Sequence, residues 1–182
     1  MKINNKIALK VMICLFLMSP MQFSYSDTSL RAPSVDGIFS AGPYYNTKSK
    51  SYFELRRGNG FTWEVANEIT KNLKYKNTPG QLAIIDSPQT HSFLVKHFQF
   101  LENTWIGLQF FCESSKSIWV NGSSLSSNNF SNWALDIDDI SLLCIGKQYV
   151  PTFILQGSMN WSFPTETTRP DFYLVEYPTG KK

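Results

Sequence analysis

Two short segments constrain this chain more than any others: Trp105-Ile106-Gly107-Leu108 and, shortly after, Trp119-Val120-Asn121-Gly122. An apolar tetrapeptide broken by a glycine reads as a buried strand whose backbone another segment approaches closely. The second segment is a tryptophan strand that ends in Asn-Gly, a strong turn signal. Together they predict two strands with a tight turn near the centre of the core.

The N-terminus reads as a processing segment rather than as part of the fold. Lys2, Lys6 and Lys10 give a basic start, Val11 to Met18 an apolar run, Pro20 a break, and Ser24-Tyr25-Ser26 small residues at a cleavage position. This is the pattern of a secretory signal peptide over residues 1–26, cut before Asp27. The alternative is an uncleaved anchor, against which the apolar run is shorter than the ~20 residues a membrane span needs. The precursor carries 17 Lys+Arg and 14 Asp+Glu. Three of the lysines and none of the acids lie in residues 1–26, so the mature chain is formally neutral. That balance gives no basic surface for nucleic acid and no polybasic stretch for a membrane. No second apolar run is long enough to span a bilayer. The expected location is outside the cytoplasm, secreted or periplasmic.

About 155 residues then remain, suited to one domain with one sizeable core. Aromatic residues make up 15% of the chain and charged residues 17%, a balance that suits a loop-rich fold around large buried rings. Cys112 and Cys144 are the mature cysteines. In an exported protein such a pair is more often bridged than free, closing a loop of roughly 30 residues worth ~3 kcal/mol on the chain-entropy model. Two separate buried thiols are the other reading.

Along the chain, residues 27–43 are polar and rich in Pro and Gly and read as a flexible leader, with the domain proper at 44–178. Tyr44 to Arg57 supplies a strand or hairpin, and Gly58-Asn59-Gly60 a turn. Thr62 is placed to cap a helix whose stripe is Trp63, Ala66, Ile69 and Leu73, widened by Val65. Leu82 to Ile85 reads as a short buried strand. Ser87-Pro88 gives an N-cap and a first-turn proline for a second helix, with Phe93, Leu94, His97, Phe98 and Leu101 on one face. Strands are expected at 105–111, 118–121, 142–149, 151–161 and 172–177, with a long Ser/Asn-rich loop from Gly122 to about Ser141. Two early helices and a late run of strands predict an α+β fold.

The order of these signals resembles the C-type lectin-like family over Ser51 to Pro178. The quoted pieces are Thr62-Trp63-Glu64-Val65-Ala66 at a helix start, Gly80-Gln81-Leu82-Ala83-Ile84-Ile85-Asp86-Ser87 before the second helix, and Phe93-Leu94. They continue with the two tryptophan segments, Asn132-Trp133, and Phe172-Tyr173-Leu174-Val175-Glu176-Tyr177 as the closing strand. The resemblance implies a double-looped α+β domain: terminal strands pair at the base, two helices flank small antiparallel sheets, and binding uses the long loop and its neighbouring strands.

Departures from the family pattern shape the functional expectation. The family's usual first bridge would join positions near Thr70 and Val175, and neither is cysteine. Cys144 matches the start of the usual second bridge, but Thr165 to Thr168 holds no cysteine, so Cys112 is the expected partner. The Glu-Pro-Asn or Gln-Pro-Asp loop tripeptide and the Trp-Asn-Asp strand of calcium-dependent sugar binders are replaced by Trp133-Ala134-Leu135-Asp136-Ile137-Asp138-Asp139 and Asn160-Trp161-Ser162-Phe163. Those lost groups would supply the oxygen shell calcium demands.

The candidate ligand-binding residues are therefore Asn132, Trp133, Asp136, Asp138, Asp139 and Asn160. Asp136, Asp138 and Asp139 read either as a solvated acidic turn or as the remaining place for a calcium ion, since three close carboxylates repel unless bridged or solvated. Trp133 reads either as a ring buried beneath the long loop or as a stacking platform. His91 and His97 are six residues apart and fall on different helix faces, so they form no ligand pair, and no Ser-His-Asp set is visible. The chain is expected to bind rather than catalyse, with no resident cofactor beyond a possible calcium. The partner is a glycan or a protein on a cell surface: a lectin in the first reading, an adhesin or host-surface module without sugar or calcium binding in the second.

Overall fold

The computed structural model of the chain describes residues 40–125, 130–134 and 140–182. Strands β1 (Ser40–Asn46) and β2 (Ser51–Arg57) form an antiparallel hairpin. β1 takes in Ser40 to Pro43, which composition alone assigns to the leader. The ladder slips between Ala41 and Tyr44, where Gly42 adopts φ +100 and a Cβ would lie 2.6 Å from the Phe53 carbonyl. A backbone that close requires glycine.

Helix α1 (Trp63–Asn72) starts as the sequence predicts, with the Thr62 hydroxyl accepting from the Val65 N–H at 3.4 Å. Its buried face is Trp63, Ala66 and Thr70. Val65 lies off that face and is exposed, because Trp63 and Ala66 already centre the stripe one step away. A small ribbon of β3 (Lys74–Tyr75) and β4 (Thr78–Pro79) turns the chain, and β5 (Gln81–Leu82) follows. The segment on to Ile85 stays buried although its ladder is only two residues long.

Helix α2 (Pro88–His97) has the expected Ser87 cap and first-turn proline. It ends earlier than the apolar stripe implies. Phe98 leaves helical geometry, and Phe98 and Phe100 both enter the core. Two buried rings at i and i+2 require extended backbone, so Leu101 points to solvent instead of extending the helix face.

Strand β6 (Thr104–Phe111) pairs with β7 (Lys116–Trp119), as the opening motif predicts. The glycine inside it has the anticipated cause: a Cβ on Gly107 would lie 2.6 Å from the Leu82 carbonyl and 3.1 Å from that of Ala83. The stretch expected as a strand at 142–149 is instead a four-residue helix, α3 (Ile140–Leu143), and a turn at Gly146 with φ +71. The run expected at 151–161 is split into β8 (Tyr149–Ile154) and β9 (Trp161–Ser162) by a hairpin turn through Gly157, closed by Leu155 N–H to Asn160 O at 2.9 Å. Glycine at positive φ stops both apolar runs.

The last strand, β10 (Phe172–Tyr177), pairs antiparallel with β2 and parallel with β6. The sheet order is β1-β2-β10-β6-β8-β9, with β5 on β10 and β7 on β6. The N- and C-terminal strands thus meet at the base, and everything between them projects as a double loop. Two clusters of buried side chains fill the core, one around Phe53, Trp119, Trp161 and Leu174 and one around Trp63, Trp105, Phe153 and Val175. Among the described residues no helix is long and apolar enough to cross a membrane.

Candidate functional site

The exit of the long loop is fixed by its backbone. Trp161 N–H donates to Asn132 O at 2.7 Å and Ala134 N–H to Trp161 O at 2.9 Å, so the segment around Trp133 runs parallel beside β9. That pairing brings together three of the residues singled out from sequence: Asn132, Trp133 and Asn160. The Asn132 amide nitrogen donates to Met159 O at 2.7 Å and lies 3.2 Å from both the Asn160 side-chain oxygen and His91 Nε2. An amide has two hydrogens, so one goes to Met159 and the other is shared.

His91 is the residue that sequence reasoning missed. Its contact with Asn132 requires a lone pair on Nε2 and therefore a neutral ring. Burial pushes its pKa down, in the same direction. Phe130 packs on His91 at 5.1 Å and edge-on against Trp161 at 5.8 Å, tying the loop exit to α2. The sequence placed His91 on the helix but offered no signal that a residue 41 positions away would meet it. His97 goes elsewhere, stacked on Tyr44, so the two histidines do not meet, as expected.

Trp133 is half-buried. Its ring stacks on Phe163 at 4.8 Å with 29° between planes and meets Trp161 edge-on. Phe163 in turn touches Phe110. An aromatic ring therefore stands on the strand segment where calcium-dependent sugar binders carry Asn-Asp. Ser162 and Phe163 bring no carboxylate, and among the described residues no group of three His, Cys, Asp or Glu could hold a metal ion. Asp136, Asp138 and Asp139 lie outside the described residues.

The loop is also fastened covalently. Cys112, just beyond β6, is bonded to Cys144, just beyond α3, with their Cα atoms 5.6 Å apart. The bridge named from sequence is present, and it closes the whole long loop.

A second polar centre lies under the base hairpin. Glu176 is almost fully buried and accepts from Ser51 Oγ at 2.6 Å, Ile84 N–H at 3.1 Å and Gln81 Nε2 at 3.2 Å. Burial raises its pKa against these three donors. It borders a cavity of about 350 Å³ that Asp86, Thr90 and Asn121 also line.

Paired terminal strands, two flanking helices and a bridged long loop beside β9 are now in place. The chain has the C-type lectin-like fold. The cow C-type carbohydrate-recognition domain of CD23, solved with a GlcNAc2Man3 oligosaccharide, is similar at TM-score 0.53 and 23% identity, covering 70% of this chain and 87% of that one. The mouse scavenger receptor C-type lectin carbohydrate-recognition domain matches at TM-score 0.52 and 17% identity, covering 74% and 93%. The Ca2+-independent C-type lectin SPL-2 from Saxidomus purpuratus matches at TM-score 0.52 and 15% identity, covering 72% and 88%. No protein-family model and no curated protein matches the sequence. What this C-type lectin-like domain shares with these structures is its fold.

Proposed function

We propose that this chain is an exported binding protein that recognises glycans through its long-loop face without the usual calcium shell. The observation that carries the reading is the Trp133–Phe163 stack beside the Asn132 and Asn160 amides. A half-buried ring pair offers a flat apolar face to the C–H side of a sugar, and amides at its edge offer both donors and acceptors to hydroxyls. Phe163 stands where a calcium ligand is expected, which favours recognition by the protein's own groups. Export rests on the Lys-rich apolar N-terminus and on a disulfide suited to an oxidising compartment. The binding role, rather than catalysis, rests on the fold and on the loop cluster, which holds amides and rings.

The test is a glycan array with the chain from Asp27 to Lys182, run in calcium and again in EDTA. Binding that survives EDTA and is lost in Trp133→Ala supports the reading. Binding lost in EDTA would overturn the calcium-free mechanism and turn attention to Asp136, Asp138 and Asp139.

One observation favours a protein partner instead. Leu142 and Ile145, beside the bridge that fastens the loop, are 64% and 75% exposed. Apolar side chains held out to solvent next to a candidate site suit a protein surface. An array without hits and a pull-down abolished by Leu142→Ser with Ile145→Ser would establish that reading.

A further inference from the structure

We propose that a groove between the first turn of α1, the start of β8 and the loop joining β9 to β10 is a second binding site, for a segment of neutral oligosaccharide. The inference rests on the carbohydrate-binding reading above, but the groove shares no lining residue with the Asn132–Trp133 cluster. Its volume is about 530 Å³, within the range ligand sites occupy.

The walls are cross-tied by hydrogen bonds. On one side the Tyr149 hydroxyl donates to Glu64 at 2.7 Å. Burial opposes the charge on Glu64, yet the Tyr149 hydroxyl, its own backbone N–H and the Thr62 hydroxyl hold its pKa below the ordinary carboxylate range. It is an ionised acceptor fixed at the mouth. On the other side the loop is cross-tied by Thr165 and Thr168, and Arg169 Nη1 donates to the carbonyls of Glu166 and Thr168 at 3.0 and 2.8 Å. The guanidinium is thereby pinned, while its remaining N–H groups have no partner among the described residues. The Lys147 ammonium and the Gln148 side-chain amide are likewise uncommitted among the described residues. Of these donors the held Arg169 guanidinium loses the least entropy when a ligand arrives.

Beneath the groove lie Trp63 and Trp105, only 4% and 3% exposed, so the half-buried Tyr149 ring is the aromatic surface a ligand can reach. The indole N–H groups of Trp63 and Trp105 are already satisfied by the carbonyls of Ile106 and Phe61, at 2.8 and 2.7 Å. The Tyr149 ring is braced by Trp63 and Phe111.

The charges decide the ligand class. Lys147 and Arg169 face Glu64 and Glu166, so the groove sums to zero and has no net field to hold a small ion. It sets strong donors and strong acceptors beside the half-buried Tyr149 ring. A sugar hydroxyl both donates and accepts, and a sugar ring has an apolar face. A neutral saccharide matches that arrangement, and a charged one would meet a like charge on one wall.

The experiment is an NMR titration of the isotope-labelled mature chain with neutral trisaccharides of glucose, mannose and N-acetylglucosamine, and with a glucuronic-acid trisaccharide. At least one neutral probe is expected to shift the Trp63 and Trp105 indole N–H signals and the Gln148 amide saturably at millimolar concentration. Lys147→Ala combined with Gln148→Ala, both exposed, should weaken that binding at least tenfold with the melting curve unchanged. The Trp133 indole reports the loop site in the same spectra. Shifts at Trp133 alone would overturn the groove and leave the glycan reading standing. Shifts at neither would overturn both. Tighter binding of the acidic probe at the groove would overturn the neutral class.

Discussion

The side-chain amide of Asn132 lies 3.2 Å from Nε2 of His91, so the exit of the long loop is held to helix α2 by a contact that only a neutral imidazole can accept. Burial depresses the His91 pKa, so the unfolded chain takes up this proton first as the solution is acidified. The contribution is fully present above the ordinary histidine value of about 6.5 and is lost as pH falls through the lower folded value.

His91→Gln keeps an acceptor for Asn132 and removes the titration. Urea unfolding at about pH 7.5 and about pH 5.5, either side of the histidine range, is expected to show a smaller acid loss in the variant than in the parent chain. Equal losses in both would mean that His91 does not sense pH.

Glu176 has the opposite sign. Burial raises its folded pKa, so its carboxyl gives up its proton less readily in the native chain than in the unfolded one. Stability from this group is present below the ordinary carboxylate value and is lost as pH rises through the raised folded value. Glu176→Gln preserves the shape and can still accept from Ile84 and Gln81, while Ser51 is free to turn its proton towards Ser49 O, 3.3 Å away. The variant is expected to match or exceed the parent in melting temperature at neutral pH and to lose the pH slope. Glu176→Ala strands the same donors in the interior and is expected to cost about 2–4 kcal/mol. A Gln variant as unstable as the Ala variant would show that the charge itself holds the hairpin to β5.

The bridge between Cys112 and Cys144 spans 32 positions of sequence and encloses the long loop. Closing a loop of that length is worth about 3–4 kcal/mol on the chain-entropy model. Cys112→Ser with Cys144→Ser should lower the unfolding free energy by about that amount. Limited proteolysis is expected to cut first within residues 113–143 while the base strands stay intact. Cleavage starting in β1 or β10 instead would show that the bridge supports the whole domain.

Much of this was readable in advance because local chemistry and tertiary packing agree. Gly107 marks a backbone crossing, Ser87-Pro88 a helix start, and Cys112 and Cys144 a bridge, each through a constraint the residue itself carries. The misreadings came where one apolar run serves two directions. Phe98 and Phe100 satisfy the core by ending a helix, and the stretches 142–149 and 151–161 look like strands until Gly146 and Gly157 are seen at positive φ. Within the candidate site, Asn132, Trp133 and Asn160 were legible as polar and aromatic residues near a loop. His91 was not, because its role depends on a contact between α2 and the loop exit that no local pattern encodes.

The family's usual bridge between the first helix and the last strand is replaced here by close packing. Thr70 and Val175 are both fully buried, and Gly80 sits between them: a Cβ there would lie 2.7 Å from the Thr70 carbonyl and 2.9 Å from Val175 Cγ1. Both positions therefore pack against Gly80, and the resemblance to the family implies that a bridge fits between them. Thr70→Cys with Val175→Cys is expected to oxidise spontaneously to a second disulfide enclosing more than 100 residues, worth about 4–5 kcal/mol on the chain-entropy model. Mass mapping should find the new cross-link beside the Cys112–Cys144 peptide pair, with a raised melting temperature that falls back on reduction. Two free thiols under oxidising conditions would show that the side chains at these positions point apart, and that packing here has drifted from the geometry a bridge would hold.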